Sequence, residues 1–237
     1  MAQAGLHAAL GYQFRQIILY ERRLFPAVIF GAILPDLDII IVAIGSLFYP
    51  ILESERLFHR TFSHSFFTVI AIYLLFAIFA EWKKYPSFKS IGKGLSLGIL
   101  SHIILDTFFW FQEIQFLWPL PLKPFNLWIF LNTPNWIHRI MLVLEFFCFQ
   151  WYAWFLITKH LCNPNKQSWI IRYLQLWKNL ETMCFVFFTL LAIWNPAIFL
   201  VLFGVAYIPS LIMALWTTYM SRNALESIPN TVNENSK

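Results

Sequence analysis

Leu34-Pro35-Asp36-Leu37-Asp38 sets two carboxylates inside a run that carries no other charge from Leu24 to Leu52. The flanks, 24–34 and 39–52, read as membrane-spanning. A carboxylate at the centre of a bilayer helix costs about 2.5–3.5 kcal/mol on insertion scales. Apolar flanks can offset that cost, but they do not explain why the acids are there. Ionisable groups at this depth mark functional sites and call for partners, and the candidates are His59, His64, His102 and Asp106. Pro35 has no amide donor and disfavours helix at Leu34, which predicts a break. On a regular helix Asp36 and Asp38 would point to different faces, whereas at a broken turn both can converge.

Of the 237 residues 59% are hydrophobic and only 12% charged, about half the charged share of a soluble domain. This composition excludes a soluble globular protein. It predicts an all-α, polytopic membrane helix bundle of about five to seven spans, with a broken helix at Pro35. The net charge of +5 sits in short loops between apolar runs, where the positive-inside rule explains it, so no direct nucleic acid binding is expected. Cys148, Cys162 and Cys184 are widely spaced and argue against a disulfide framework or a thiolate metal site. Residues 1–23 lack the apolar core and cleavage site of a signal peptide.

Along the chain, residues 1–23 are mixed and basic, and read either as an amphipathic helix on the membrane surface or as a short, poor span. Spans are expected over about 24–48, 66–80, 94–111 and 140–157. A last apolar region, 182–219, is too long for one helix and should break at Asn195-Pro196. Residues 49–65 form a polar connection, with Ser63 the expected N-cap of the following helix. Residues 112–137, with Pro119, Pro121, Pro124 and Pro134 and several tryptophans, read as an interfacial loop. Trp82, Trp118, Trp136 and Trp169 read as belt residues. The segments 15–23, 82–93 and 159–180 are basic, 49–63 is balanced and 112–137 nearly uncharged. The basic segments therefore face the cytoplasm. The polar stretch after residue 222 is expected to be disordered.

His102 and Asp106 are four apart and share a helix face. With Asp36, Asp38 and His64 they make a mixed nitrogen and oxygen set that suits a divalent metal, zinc first, manganese or iron next. A metal also neutralises carboxylates that would otherwise be desolvated. Blander readings stand beside this one. Asp36 and Asp38 can brace a broken helix, His102 and Asp106 can form a neutral interhelical pair, and His59 beside Arg60 can be an interfacial histidine. His138 reads as a surface residue and His160 as solvated in a cytoplasmic loop.

The order Gly31-Ala-Ile-Leu-Pro-Asp-Leu-Asp38, His59-Arg-Thr-Phe-Ser-His-Ser65, Ser101-His-Ile-Ile-Leu-Asp106 and Leu117-Trp-Pro119 resembles the YdjM/YbcI-type bacterial inner-membrane proteins. That family is classed as membrane-bound metal-dependent hydrolases and also described as LexA-binding. The resemblance spans about residues 7–119. It implies a metal site built from His7, Asp36, Asp38, His59, His64, His102 and Asp106, located in the bacterial inner membrane. The His-x-x-x-Asp pair and the Pro-Asp turn are also similar to zinc-dependent phospholipase C. The chain departs from the family pattern at Thr61, where glycine is common, and the aromatic second half carries no motif of it. The expected organisation is a family-like membrane domain over 1–119, further helices of the same bundle over 120–222 and a tail over 223–237.

These observations lead to a membrane-bound metal-dependent hydrolase acting on a phosphoester or lipid substrate. Asp36, Asp38, His64, His102 and Asp106, with His7, are its expected ligands. His59 is a general base or a further ligand, and Arg60 a clamp for an anionic phosphate. The lipid bilayer is the expected surrounding, and a soluble protein partner stays open. Two non-enzymatic readings use the same residues: a proton or metal transporter, and a regulatory membrane protein with a structural metal.

Overall fold

The computed structural model describes residues 4–13, 21, 23–109, 113–131, 134–163 and 168–226, and these are helical apart from the connections. Six helices are long and apolar enough to cross a membrane: Leu24–Gly45, Phe66–Lys83, Ser87–Phe109, Asn135–Leu161, Ser168–Trp194 and Ile198–Met220. The expected polytopic bundle is what forms. In chain order the α-helices are α1 (Ala4–Gln13), α2 (Leu24–Ile33), α3 (Asp38–Gly45), α4 (Ile51–Phe58), α5 (Phe66–Lys83), α6 (Ser87–Phe109), α7 (Asn135–Leu161), α8 (Ser168–Trp194), α9 (Pro196–Met220) and α10 (Arg222–Glu226).

The break falls where Pro35 predicts it. α2 and α3 are halves of one span, joined by a 3₁₀ turn over Leu34–Leu37. In 3₁₀ winding the donor that would reach the Ala32 carbonyl is the amide of residue 35, and proline has none.

α2 lies at the centre and packs along α6. Three glycines bring the two backbones together: a Cβ at Gly31 would meet the Leu95 carbonyl oxygen at 2.2 Å, at Gly94 the Leu24 oxygen at 2.5 Å, and at Gly98 the Val28 oxygen at 2.2 Å. Small residues at such crossings replace the hydrophobic drive that lipid cannot supply. Because Gly98 is locked against α2, His102, one turn further along α6, comes beside Ala32.

The described helix of the segment 1–23, α1, does not lie on the membrane surface. It is packed among α2, α6 and α7, with Ala4, Ala8 and Ala9 buried. Residues 1–3, 14–20 and 22 of that expected segment fall outside the described residues.

Several boundaries move. Residues 49–65 contain α4, and the third span begins at Ser87, so Lys89 and Lys93 stand on α6. α8 starts at Ser168, placing Arg172 and Lys178 on a helix and not in a loop. The break at Asn195 is present, with its side chain accepting from the Ile198 amide. Ser65, not Ser63, caps α5, accepting from the Phe67 amide at 3.2 Å. His160 is buried and bonds Ser221 Oγ at 3.0 Å, because α10 folds back and buries Ala224 and Leu225. The expected tail therefore starts in a helix, and 227–237 fall outside the described residues.

The two weakly charged connections meet on one side of the bundle. Gln115 donates its amide to the Arg60 carbonyl at 3.2 Å, Phe66 to that of Phe116 at 2.9 Å, and Ser65 Oγ to that of Trp118 at 2.7 Å. On the other side Lys93 and Ser90 both donate to Glu21, at 2.8 and 2.7 Å, and hold its carboxyl below the usual range. The 60–66 and 115–118 stretches thus pack together at one end of α5, while Glu21 is tied to the beginning of α6.

Candidate metal centre

Five segments deliver side chains to one buried cluster. α1 brings His7, the 3₁₀ turn Asp36, the start of α3 Asp38, the 59–64 connection His59, Arg60, Ser63 and His64, and α6 His102 and Asp106. All of these side chains are buried, and His64, His102 and Asp36 are wholly so.

Hydrogen bonds assign the protons. His102 Nδ1 lies 2.7 Å from the Ala32 carbonyl oxygen. A carbonyl only accepts, so Nδ1 carries the proton and Nε2 keeps its lone pair. Ser63 Oγ donates its one proton to Asp38 Oδ2 at 2.6 Å, so it accepts from His64 Nδ1 at 2.8 Å. In the neutral ring His64 Nε2 is then also a lone pair. These two nitrogens face each other at 3.1 Å. Two lone pairs at that distance repel unless a cation or a shared proton lies between them.

Carboxylates surround the facing pair. Asp36 Oδ1 is 3.4 Å from His102 Nε2, and Asp106 Oδ2 is 3.4 Å from His64 Nε2 and 3.7 Å from His102 Nε2. Neither oxygen of Asp36 has a hydrogen-bond partner among the described residues, although both are buried. Two triads hold their ligand atoms within 4.8 Å of one another, Asp36 with His64 and His102, and His7 with His102 and Asp106. Ligand bonds of about 2.0–2.2 Å in a tetrahedral zinc site put ligand atoms about 3.3–3.6 Å apart, and the contacts here run from 3.1 to 3.7 Å. On chemistry and spacing the residues fit a divalent metal.

His7 reaches the cluster from α1. Its Nε2 is 3.1 Å from Asp106 Oδ1, and its ring stacks on His102 with centroids 3.8 Å apart. The other oxygen of Asp106 is 3.2 Å from Arg60 Nη2.

Asp38 stands differently from Asp36. Its oxygens accept from His59 Nδ1 at 2.8 Å, the Arg60 amide at 3.1 Å and Ser63 Oγ. The carboxylate thereby fixes the 59–64 connection and, through Ser63, the tautomer of His64, in the manner of the partners that orient metal-bound histidines. It belongs to neither triad. His59 donates Nδ1–H to Asp38, so its Nε2 is a lone pair. Burial holds the imidazole down at about 4 despite the pull of Asp38, and it is neutral at neutral pH. His59 and Arg60, the latter with a left-handed backbone (φ 56°), form the floor of a cavity of about 640 Å³. Leu52, Glu55, Arg56, Glu113, Gln115, Pro124 and Asn126 complete its lining.

His138 lies half-buried at the start of α7 and does not join the cluster. Two buried acids escaped the sequence reading. Glu145 in α7 accepts from the Gly5 amide at 3.0 Å, and Glu181 in α8 accepts from Trp177 Nε1 at 2.6 Å. The signal that singles out Asp36, an acid within an apolar span, applies equally to Glu145.

Comparison with known proteins adds the family. Searches of curated proteins and of solved structures each return no significant match. A family model described as "YdjM inner membrane protein" matches residues 2–208. The match runs well past residue 119, so the aromatic second half, which carries none of the recognised motifs, lies within the family as well. With six membrane-crossing helices and a family match over most of its length, the chain belongs to the YdjM inner membrane protein family and is a multi-pass protein of the inner membrane.

Proposed function

We propose that the protein is a membrane-bound metal-dependent hydrolase that cleaves a phosphoester entering from the cavity over His59 and Arg60. The observation that carries this reading is the 3.1 Å approach of His64 Nε2 and His102 Nε2, both with their Nδ1 protons committed elsewhere. Such an arrangement repels itself without a metal ion or a shared proton and ligates well with a metal.

His64, His102, Asp36 and Asp106 would hold the ion, zinc by preference and manganese or iron as alternatives, with His7 completing the second triad. A divalent ion there would activate water and polarise a phosphoryl oxygen. The remaining groups do the protein's own share. Arg60, at the cavity floor, orients an anionic phosphate through paired N–H donors. Neutral His59 accepts a proton on Nε2, and Asp38 steadies the resulting imidazolium through Nδ1–H. The cavity wall combines acidic and basic groups, Glu55, Glu113, Arg56 and Arg60, with the apolar Leu52 and Pro124, and its charged groups suit a polar headgroup.

The test is metal content by mass spectrometry on detergent-purified protein, wild type beside a His102→Ala/Asp106→Ala variant, followed by a phosphoester screen. The expected result is at least one equivalent of zinc, manganese or iron, lost in the folded variant. Wild type that takes up no metal even on reconstitution would overturn the reading. A proton shared between His64 and His102 would then be the resolution of their contact, and proton flux across vesicles the next measurement.

A further inference from the structure

Glu145 sits in the middle of α7, wholly buried among Phe146, Phe149 and the rest of the apolar core. A carboxyl group at that depth is costly and calls for a specific partner. Its partner is 140 residues away in sequence: Oε1 accepts from the Gly5 backbone amide at 3.0 Å. Gly5 lies in the first turn of α1, where helix amides need an acceptor from outside the helix. The contact is close on both sides. A Cβ at Gly5 would meet the Phe149 amide nitrogen at 2.6 Å and the Cys148 carbonyl carbon at 2.8 Å, so the first turn of α1 rests on the backbone of α7.

Two residues beyond this anchor, His7 reaches Asp106 and stacks on His102. An isolated helix of ten residues is marginal by itself, so the position of His7 depends on what seats α1. Gly11 seats the far end, where an added Cβ would lie 3.3 Å from Ala32 Cβ on α2. Glu145 seats the near end and supplies its directional bond. We infer that Glu145 is a positioning residue for His7: by holding the first turn of α1, the second half of the chain completes a centre whose other groups all come from residues 36–106. Its readout at the metal rests on the function proposed above.

The experiment loads detergent-purified protein with Co²⁺ alone and records the visible ligand-field spectrum, alongside hydrogen exchange of the amides over residues 4–13. Wild type is compared with His7→Ala, Glu145→Leu, Glu145→Gln and Glu145→Leu/His7→Ala. Glu145→Leu should show the His7→Ala spectrum and exchange of the α1 amides faster by about tenfold, the worth of one such hydrogen bond. The double variant should match His7→Ala, and Glu145→Gln, which keeps a carbonyl acceptor, should restore the wild-type spectrum and protection. A general packing role would instead add to the His7→Ala effect and would not be rescued by glutamine. If Glu145→Leu fails to fold, Gly5→Ala tests the same seat with Glu145 intact and should give the His7→Ala spectrum. Wild-type spectrum and protection in the folded Glu145→Leu or Gly5→Ala protein would overturn the inference. Should wild type take up no cobalt, the metal reading fails, and the exchange measurement alone decides whether Glu145 holds α1.

Discussion

His64 and His102 meet Nε2 to Nε2 at 3.1 Å, and the hydrogen of each ring is already on the opposite nitrogen. Ser63 is what sets the tautomer of His64. Ser63→Ala leaves every candidate ligand in place but frees His64 to turn or to change tautomer. Losing such an orienting partner typically weakens metal affinity about 10- to 100-fold. Competition against a chelator of known affinity measures this, and an unchanged affinity would remove Ser63 from the centre.

Close backbone contact at Gly98 makes a second prediction. An added methyl meets the Val28 oxygen at 2.2 Å and the Ala32 nitrogen at 2.5 Å, both backbone atoms that cannot swing aside. Gly98→Ala should destabilise by about 1–3 kcal/mol and loosen the His102–Ala32 bond. Gly204, where an added methyl would find nothing within 4 Å, is the control, and Gly204→Ala should not lower stability. Thermal unfolding in detergent distinguishes the two.

The His59 imidazole is held at about 4 in the folded protein, below its ordinary value near 6.5. Between these limits the unfolded chain binds a proton that the folded one refuses. Its contribution therefore costs no stability above about pH 6.5 and destabilises progressively as pH falls to about 4, by about 3 kcal/mol at most. Unfolding temperatures from pH 7 to 4.5 should fall, and His59→Gln should flatten part of that slope.

Arg60 adopts a left-handed backbone that glycine enters without strain. Arg60→Gly should keep folded yield and bound metal. Turnover of a phosphoester should drop about 10- to 100-fold, the worth of a charged hydrogen bond to the phosphate. Loss of metal together with turnover would instead make Arg60 part of the ion's support.

The sequence by itself determined the class of structure and much of the list of polar residues. Composition and hydropathy specify a membrane bundle because bilayer insertion depends on each segment's own apolar length, a local property. Pro35 announces the break because its missing amide is a property of one residue. Asp36, Asp38, His102 and Asp106 stand out because charge within an apolar run is visible without a fold. What the tertiary structure alone decided is which of these groups meet, and how. Asp36 and Asp38 are two residues apart, yet one faces His102 and the other is committed to His59, Arg60 and Ser63, a difference set by the 3₁₀ turn and by the loop above it. His160, legible only as a basic-loop residue, is buried because α10 returns to cover it. The pairing of Glu145 with Gly5 joins opposite halves of the chain, and it depends on the fit of two helix backbones that no local pattern encodes.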